Sequence, residues 1–248
     1  MRERATSFGT ASGSYETGRP EYPAEAVGWM LEALTDRAPA VIDIGAGTGK
    51  LTRAVLARGA TVTAVDPDPL MLAALQQKSP EVRTLVGVAE ELPLPDGSAD
   101  AAVLGQAWHW VDPDAASREI GRVLRQGGVL GLIWNVRDDR VEWVRRLTGI
   151  MHGSAAEKMI AEDGVRVSDP FGALEKRRWE WQRTMTRAEL HAMARSRSYF
   201  ITASDEEKAG IESGMDQLFD ELGLSDGSTL ALPYVTVAYR AVRAAWRR

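Results

Sequence analysis

The run Val41-Ile42-Asp43-Ile44-Gly45-Ala46-Gly47-Thr48-Gly49 places three glycines at alternate positions. An apolar stretch leads into them, and it carries one carboxylate, Asp43. Glycine tolerates positive φ and, lacking Cβ, lets the backbone turn tightly and come close to a ligand. The amides at the start of the following helix then face that ligand. A second carboxylate, Asp66, ends the next apolar run, Ala60 to Val65. An acid about twenty residues past such a turn can accept both hydroxyls of a ribose. Strand, glycine turn, helix, strand and terminal acid, in that order, are the parts of a nucleotide-type cofactor site.

The chemistry around the turn narrows the cofactor. A dinucleotide site expects G-x-G-x-x-G, whereas this chain has G-x-G-x-G. A carboxylate at Asp43 would repel a pyrophosphate and would attract an ammonium group. S-adenosylmethionine carries an ammonium, a sulfonium and an adenosine but no phosphate, and it suits Asp43 plus Asp66 better than a nicotinamide dinucleotide does.

Other residues could act at the same place. Gln106-Ala107-Trp108-His109-Trp110 ends the fourth apolar run, at the end of a central strand where open α/β sheets bind ligands. His109 is the candidate for proton transfer, because an unperturbed histidine accepts a proton near neutral pH. It also suits a structural role, and the tryptophans suit either a substrate pocket or core cover. Asn135 and Arg137 follow the fifth run on the same edge, where Arg137 could grip an anion or simply face solvent. The stripe Lys176-Arg-Arg-Trp-Glu-Trp181 reads more cheaply as a half-exposed strand than as a nucleic-acid surface. His152 and His191 have no clustered partners, so no metal site is expected.

These groups need a scaffold. Residues 1–22 are polar, punctuated by Gly9, Gly13, Gly18 and Pro20, and read as an N-terminal arm or lid. Pro23 opens a helix whose apolar face is Val27, Met30, Leu31 and Leu34. Apolar strands are expected near 40–45, 60–66, 82–87, 100–105 and 129–135. Helices are expected between them near 49–58 and 68–78, and one more capped by Asp112 and Pro113 and ended by Gly127-Gly128. Apolar strands alternating with amphipathic helices imply a parallel sheet covered on both faces. Beyond residue 137 the spacing predicts a helix near 139–151, an irregular stretch at 152–172 and a strand near 175–184. Two capping boxes follow, Thr186-x-x-Glu189 and Ser204-x-x-Glu207, each opening a helix. A last strand at 229–242 contains Pro233, which should bulge it or place it near an edge. The expected divisions are the arm (1–22), a cofactor-binding core (23–137), a cap with substrate-side helices (138–228), and a C-terminal strand and tail (229–248).

With 248 residues, 44% hydrophobic and 26% charged, the chain has the balance of an ordinary globule. A net charge of −5 disfavours a nucleic-acid partner. No cysteine means no disulfide, thiolate nucleophile or cysteine-bound metal. Neither a signal-type apolar segment nor a membrane-length run is present, and a cytoplasmic location is expected.

The chain resembles the class I S-adenosylmethionine-dependent methyltransferases. The match rests on Val41–Gly49, Asp66, the run Gly87-Val-Ala-Glu-Glu-Leu-Pro-Leu-Pro-Asp-Gly-Ser-Ala-Asp100, and Arg122-Val-Leu-Arg-Gln-Gly-Gly-Val-Leu130. Phe8-Gly-x-Ala-x-x-x-Tyr15-x-x-x-Arg19-Pro-x-Tyr22-Pro together with Gln106–Trp110 is similar to the trans-aconitate-methyltransferase-like branch. The resemblance implies a Rossmann-like α/β sandwich: a mostly parallel seven-stranded sheet with an antiparallel C-terminal strand and a helical cap inserted after strand five. It implies that Asp43 and Gly45, Ala46, Gly47, Thr48 and Gly49 hold the methionine part, and that Asp66 holds the ribose. Pro67, Met71, Ala89 and Glu90 border the adenine, with Val88 where many members carry an acid. Gln106 and Ala107 lie beside the methionine, and Tyr15 and Arg19 close over it.

The function expected is methyl transfer from S-adenosylmethionine to a small molecule, leaving S-adenosylhomocysteine, with Tyr22, Trp108, Trp110, Trp134, Asn135 and Arg137 around the acceptor. A nicotinamide oxidoreductase and a non-catalytic S-adenosylmethionine binder are the alternatives. A nucleic-acid amino-methylating enzyme would resemble an Asn/Asp-Pro-Pro-aromatic run after strand four, which Gln106-Ala-Trp-His is not.

Overall fold

The computed structural model describes residues 18–34, 38–153, 155–162, 164–225 and 227–244. Pro23 precedes α1 (Ala24–Leu31), which buries Ala26, Val27, Met30 and Leu31. The core then alternates: β1 (Ala40–Ile44), α2 (Lys50–Leu56), β2 (Thr61–Asp66), α3 (Pro69–Lys78), β3 (Arg83–Val86), β4 (Ala99–Gly105), α4 (Pro113–Val123) and β5 (Leu124–Arg137). The chain continues through α5 (Glu142–Met151), α6 (Ala155–Ala161), β6 (Glu175–Thr186), α7 (Arg187–Arg195), α8 (Ser198–Thr202), α9 (Asp205–Glu221) and β7 (Thr229–Val242).

The sheet has seven strands in the order β3-β2-β1-β4-β5-β7-β6. The pairs among β1 to β5 are parallel, and β7 runs antiparallel to both β5 and β6. Chain order reverses between β1 and β4, so a crevice opens at their carboxyl ends, where ligands bind in such sheets. The strands are apolar on both sides because both sides are covered. Val41, Val103 and Ile133 pack against Met30 of α1 and Leu51 and Val55 of α2. Ile42, Leu104 and Leu132 pack against Ala116 and Ile120 of α4. A further cluster joins α5, α7, α8 and α9 to the ends of β6 and β7 through Leu147, Phe200, Met215, Phe219, Met185 and Tyr234.

Local chemistry sets the element ends. Asp112 caps α4, accepting from the amides of Asp114 and Ala115 at 2.9 and 3.0 Å. Both capping boxes form, at Thr186 for α7 and Ser204 for α9. Two expectations need correction, and a third is met in a particular way. α4 stops at Val123, ahead of Gly127-Gly128. Leu124 is already extended and pairs with Ala99, and the glycine turn loops out before pairing resumes at Val129 opposite Ala101. The stretch 152–172 holds the helix α6, which buries Ala156 between two glycine-marked breaks. β7 lies near an edge, as Pro233 implied, next to the edge strand β6 and paired on both sides. The Pro233 carbonyl accepts from the Asp138 amide at 3.0 Å, and a residue's N–H and C=O point to the same side of a strand. Its missing N–H therefore falls where β5 has ended, its last pair being Arg137 with Tyr234.

Candidate active site

A cleft of about 430 Å³, counting the space open to solvent, lies at the carboxyl ends of β1 and β4. Its floor is the glycine turn with Asp43, Gly45, Ala46 and Thr48, followed by Lys50 and Leu51 of α2. Gly105 and Gln106 at the end of β4 and Asn135 of β5 form a second wall. Arg19, Pro20 and Tyr22, from the segment entering α1, form a third.

The three glycines are needed for different reasons. All have positive φ, at 68°, 54° and 85° for Gly45, Gly47 and Gly49. A Cβ on Gly45 would sit 2.8 Å from Ala107 Cβ, and one on Gly49 2.7 Å from Leu75 Cγ. Around Gly47 a Cβ would meet nothing within 4 Å among the described residues. The outer glycines let the turn pack against the protein, and the middle one leaves space beside the turn.

Two buried carboxylates flank this turn. Asp66 Oδ2 accepts from the Gly47 amide at 2.8 Å and Oδ1 from the Asp68 amide at 2.9 Å. Asp68, not Asp66, caps α3. Asp66 is thus oriented toward the turn, and each oxygen keeps a second lone pair for a hydroxyl donor. Burial pushes its pKa up. Asp43 is fully buried. Its Oδ2 accepts from Thr52 Oγ1 at 2.5 Å, while Oδ1 has no hydrogen-bond partner among the described residues. Burial raises the Asp43 pKa to about 7, against the opposing hydrogen bond from Thr52. A buried carboxylate oxygen without a donor, in the wall of a cleft, suits a cationic ligand group.

The opposite wall is strained and cross-braced. Gln106 has φ +57°, uncommon for a non-glycine residue. Its amide donates to the Ile133 carbonyl and its Nε2 to the Asn135 carbonyl, at 2.9 and 2.8 Å. The Asn135 side chain links three elements. Trp181 Nε1 donates to Thr236 Oγ1, which donates to Asn135 Oδ1 at 2.6 Å, and Asn135 Nδ2 donates to the Glu21 carbonyl at 3.1 Å. Glu21 Oε1 also pairs with Lys50 Nζ at 2.6 Å.

Residues 42–132 match the family described as methyltransferase domain. An uncharacterized methyltransferase of Mycobacterium bovis is 45% identical over 244 residues, 98% of each chain. An uncharacterized methyltransferase-like protein of Schizosaccharomyces pombe is 32% identical over 240 residues, 94% of each chain. In fold, the chain is similar to a proposed type II methyltransferase from Anaeromyxobacter dehalogenans. The TM-score is 0.64 at 20% identity, covering 92% of this chain and 99% of that one. The chain belongs to the class I S-adenosylmethionine-dependent methyltransferases. The nicotinamide alternative is not favoured by this membership.

The methyltransferase's methyl donor is S-adenosylmethionine, and the residues present fit it. The unmatched Asp43 oxygen suits its ammonium, the open space at Gly47 admits its methionine part, and the oriented Asp66 suits its ribose. Pro67 is half-buried, and Met71 and Ala89 are buried, beyond the Asp66 end. One Glu90 oxygen accepts from the Asp112 amide at 2.8 Å, fastening the loop after β3 to the start of α4. Lys50, Leu51, Gly105 and Pro20 line the cleft without having been singled out from sequence. Lys50 follows the last glycine directly, and that position was the available signal. Tyr15 lies outside the described residues.

Several expected acceptor-site residues are placed elsewhere. Trp134 is completely buried, edge-on to Tyr239 with centroids 5.9 Å apart, in the core on the α4 side. Period-two alternation sends Asn135 to the cleft and its neighbour away from it. Trp108 is also core, its indole N–H donating to the Arg166 carbonyl at 3.0 Å. Arg137 is not an open grip. Its side chain is buried, pairs with Glu157 at 3.0 Å and donates to Thr148 Oγ1 at 3.1 Å. His109 is far from unperturbed. Burial, with the charge of Arg19 adding, lowers its pKa to about 4, and its Nδ1 has no partner. Trp110 is half-buried beside it, with ring centroids 4.9 Å apart. Tyr22 reaches over β4, since a Cβ on Gly105 would lie 2.6 Å from its hydroxyl.

Proposed function

We propose that this methyltransferase acts on a small-molecule acceptor bound between the carboxyl edge of the sheet and a cap formed by residues 138–228. The carrying observation is the buried Asp43, which has an oxygen with no hydrogen-bond partner among the described residues and lines a cleft partly walled by the chain's own Arg19, Pro20 and Tyr22. A cleft that short segments wall in suits a compact ligand. The net charge of −5 offers no general attraction to a polyanion.

In this reading Asp43 and the backbone of Gly45–Gly49 hold the methionine ammonium side. Asp66 holds the ribose, and Pro67, Met71, Ala89 and Glu90 border the adenine. Gln106 and Ala107 flank the methionine part, and Arg19 faces its carboxylate. When bound, S-adenosylmethionine supplies a methyl group already activated on a sulfonium. The protein's task is then alignment and exclusion of water. Gln106, held in a strained backbone by two hydrogen bonds, fixes one wall for that alignment. His109 is neutral at pH 7 and is a weak base, so it serves as a hydrogen-bond acceptor toward an acceptor hydroxyl or amine.

Calorimetry with S-adenosylhomocysteine on the folded protein is the first test, and absence of binding would sink the reading. A methyl-transfer screen over metabolites, run beside RNA and DNA, is the second. Methylation of a nucleic acid alone overturns the small-molecule acceptor. Cofactor binding without turnover on anything favours a non-catalytic binder.

A further inference from the structure

Gly18 packs on the end of α7, where a Cβ would lie 2.6 Å from Ser196 Oγ. The next residue, Arg19, lines the cleft, and its charge reaches both His109 and Tyr199. Helix α6 touches the Trp108–Trp110 turn from the other side. Arg19 thereby links the cleft wall to a group of charged residues, since the charges of Arg197, Arg137 and Glu157 act on the same Tyr199 hydroxyl.

The charges there are unevenly matched. Arg137 has Glu157 at 3.0 Å. Arg197 is only 5% exposed, its Nε has no hydrogen-bond partner, and among the described residues no carboxylate pairs with it. The Tyr199 hydroxyl is likewise buried without a partner among the described residues, as is His109 Nδ1. A guanidinium cannot shed its proton to escape burial, and a buried charge without a counter-charge is costly. The environment therefore calls for an anion that the described protein does not itself provide.

We propose that Arg197, assisted by the Tyr199 hydroxyl, binds an anionic group of the acceptor, a carboxylate or a phosphate, on the cap side of the cleft. This rests on the small-molecule acceptor reading above. A guanidinium drawing on the charge of such a group makes it a poorer nucleophile, so the anion is a handle and the methylated atom lies elsewhere on the molecule.

The test compares benzoate, phenyl phosphate and benzamide by calorimetry on protein loaded with S-adenosylhomocysteine. Benzoate or phenyl phosphate should bind at least 10-fold more tightly than the isosteric neutral amide, roughly the weight of one charged hydrogen bond. Which of the two binds better identifies the handle. Arg197→Gln should weaken the anion roughly 10- to 100-fold and leave S-adenosylhomocysteine affinity unchanged. Arg197→Lys should retain part of the binding, and Tyr199→Phe, which keeps the ring and should fold even where R197Q does not, should lose several-fold. Equal binding of benzamide, no binding of either anion, or full anion affinity in both R197Q and Y199F overturns the proposal. Failure of S-adenosylhomocysteine to bind would instead overturn the cofactor reading, and nucleic-acid methylation the acceptor reading.

Discussion

Asp43, in the cleft, and His109, in the turn after β4, have pKa values displaced in opposite senses by the same cause, burial. Asp43 rises from 3.8 to about 7, so its contribution to stability is complete below about pH 4 and is lost as pH rises toward 7. His109 falls from 6.5 to about 4, so its contribution is complete above pH 6.5 and is lost as pH falls toward 4. Urea denaturation across this window should show the stability of wild type relative to Asp43→Asn shrinking as pH rises. Relative to His109→Gln it should grow, each change being on the order of 3 kcal/mol. The glycines offer a second residue-level prediction. Gly45→Ala and Gly47→Ala both strain a positive φ, at about 1–2 kcal/mol, but only the first also collides with Ala107. G45A should therefore lose more stability than G47A. G47A should stay folded and lose S-adenosylhomocysteine affinity, because its methyl enters the open side of the turn. The glycines and acids were legible because turn geometry and charge are local properties. Arg197 and Tyr199 were not, since nothing near them in sequence tells that they are buried, or beside what.

At the scale of elements, Asn135 is where β5, β7, β6 and the entry to α1 meet. Asn135→Ala leaves Thr236 without its acceptor and the Glu21 carbonyl without its donor. We expect about 1–3 kcal/mol of lost stability and a weaker S-adenosylhomocysteine affinity, because the Arg19–Tyr22 wall loses one of its ties. Glu21→Ala removes an exposed carboxylate that pairs with Lys50 and, at 3.8 Å, with Arg53, and should cost less than about 1 kcal/mol. A calorimetric titration alongside thermal melts of both variants separates the two. The order of elements through β5 was legible from apolar runs and turn residues, and the two capping boxes placed α7 and α9. Helix α6 was hidden because two glycines frame seven residues. With it was hidden the carboxylate of Glu157 that neutralises Arg137. Trp134 and Asn135 show the same limit on a strand: adjacent residues have opposite destinations, and the sequence does not say which side is the cleft.

Over the whole molecule, the cofactor residues sit on β1, β2 and β4, while Arg197 and Tyr199 hang from the cluster of α5, α7, α8 and α9. Damage to that cluster should separate the two ligands. Phe219 is completely buried there, against His191. Phe219→Ala should cost about 3–5 kcal/mol and reduce acceptor turnover far more than S-adenosylhomocysteine affinity, measured by melting, kinetics and calorimetry on one preparation. The wall made by Arg19, Pro20 and Tyr22 has a consequence in time. It is fastened by Asn135, by the exposed Glu21–Lys50 pair and by Arg183 Nη1 on the Gly18 carbonyl at 3.4 Å. Releasing such ties costs a few kcal/mol, which holds the open form to roughly 0.1–10% of molecules. If spent cofactor departs past this wall, turnover should be paced by departure instead of by chemistry. Rapid-mixing experiments should then show a first-turnover burst of S-adenosylhomocysteine in the wild type, flattened in Asn135→Ala as the residence time shortens.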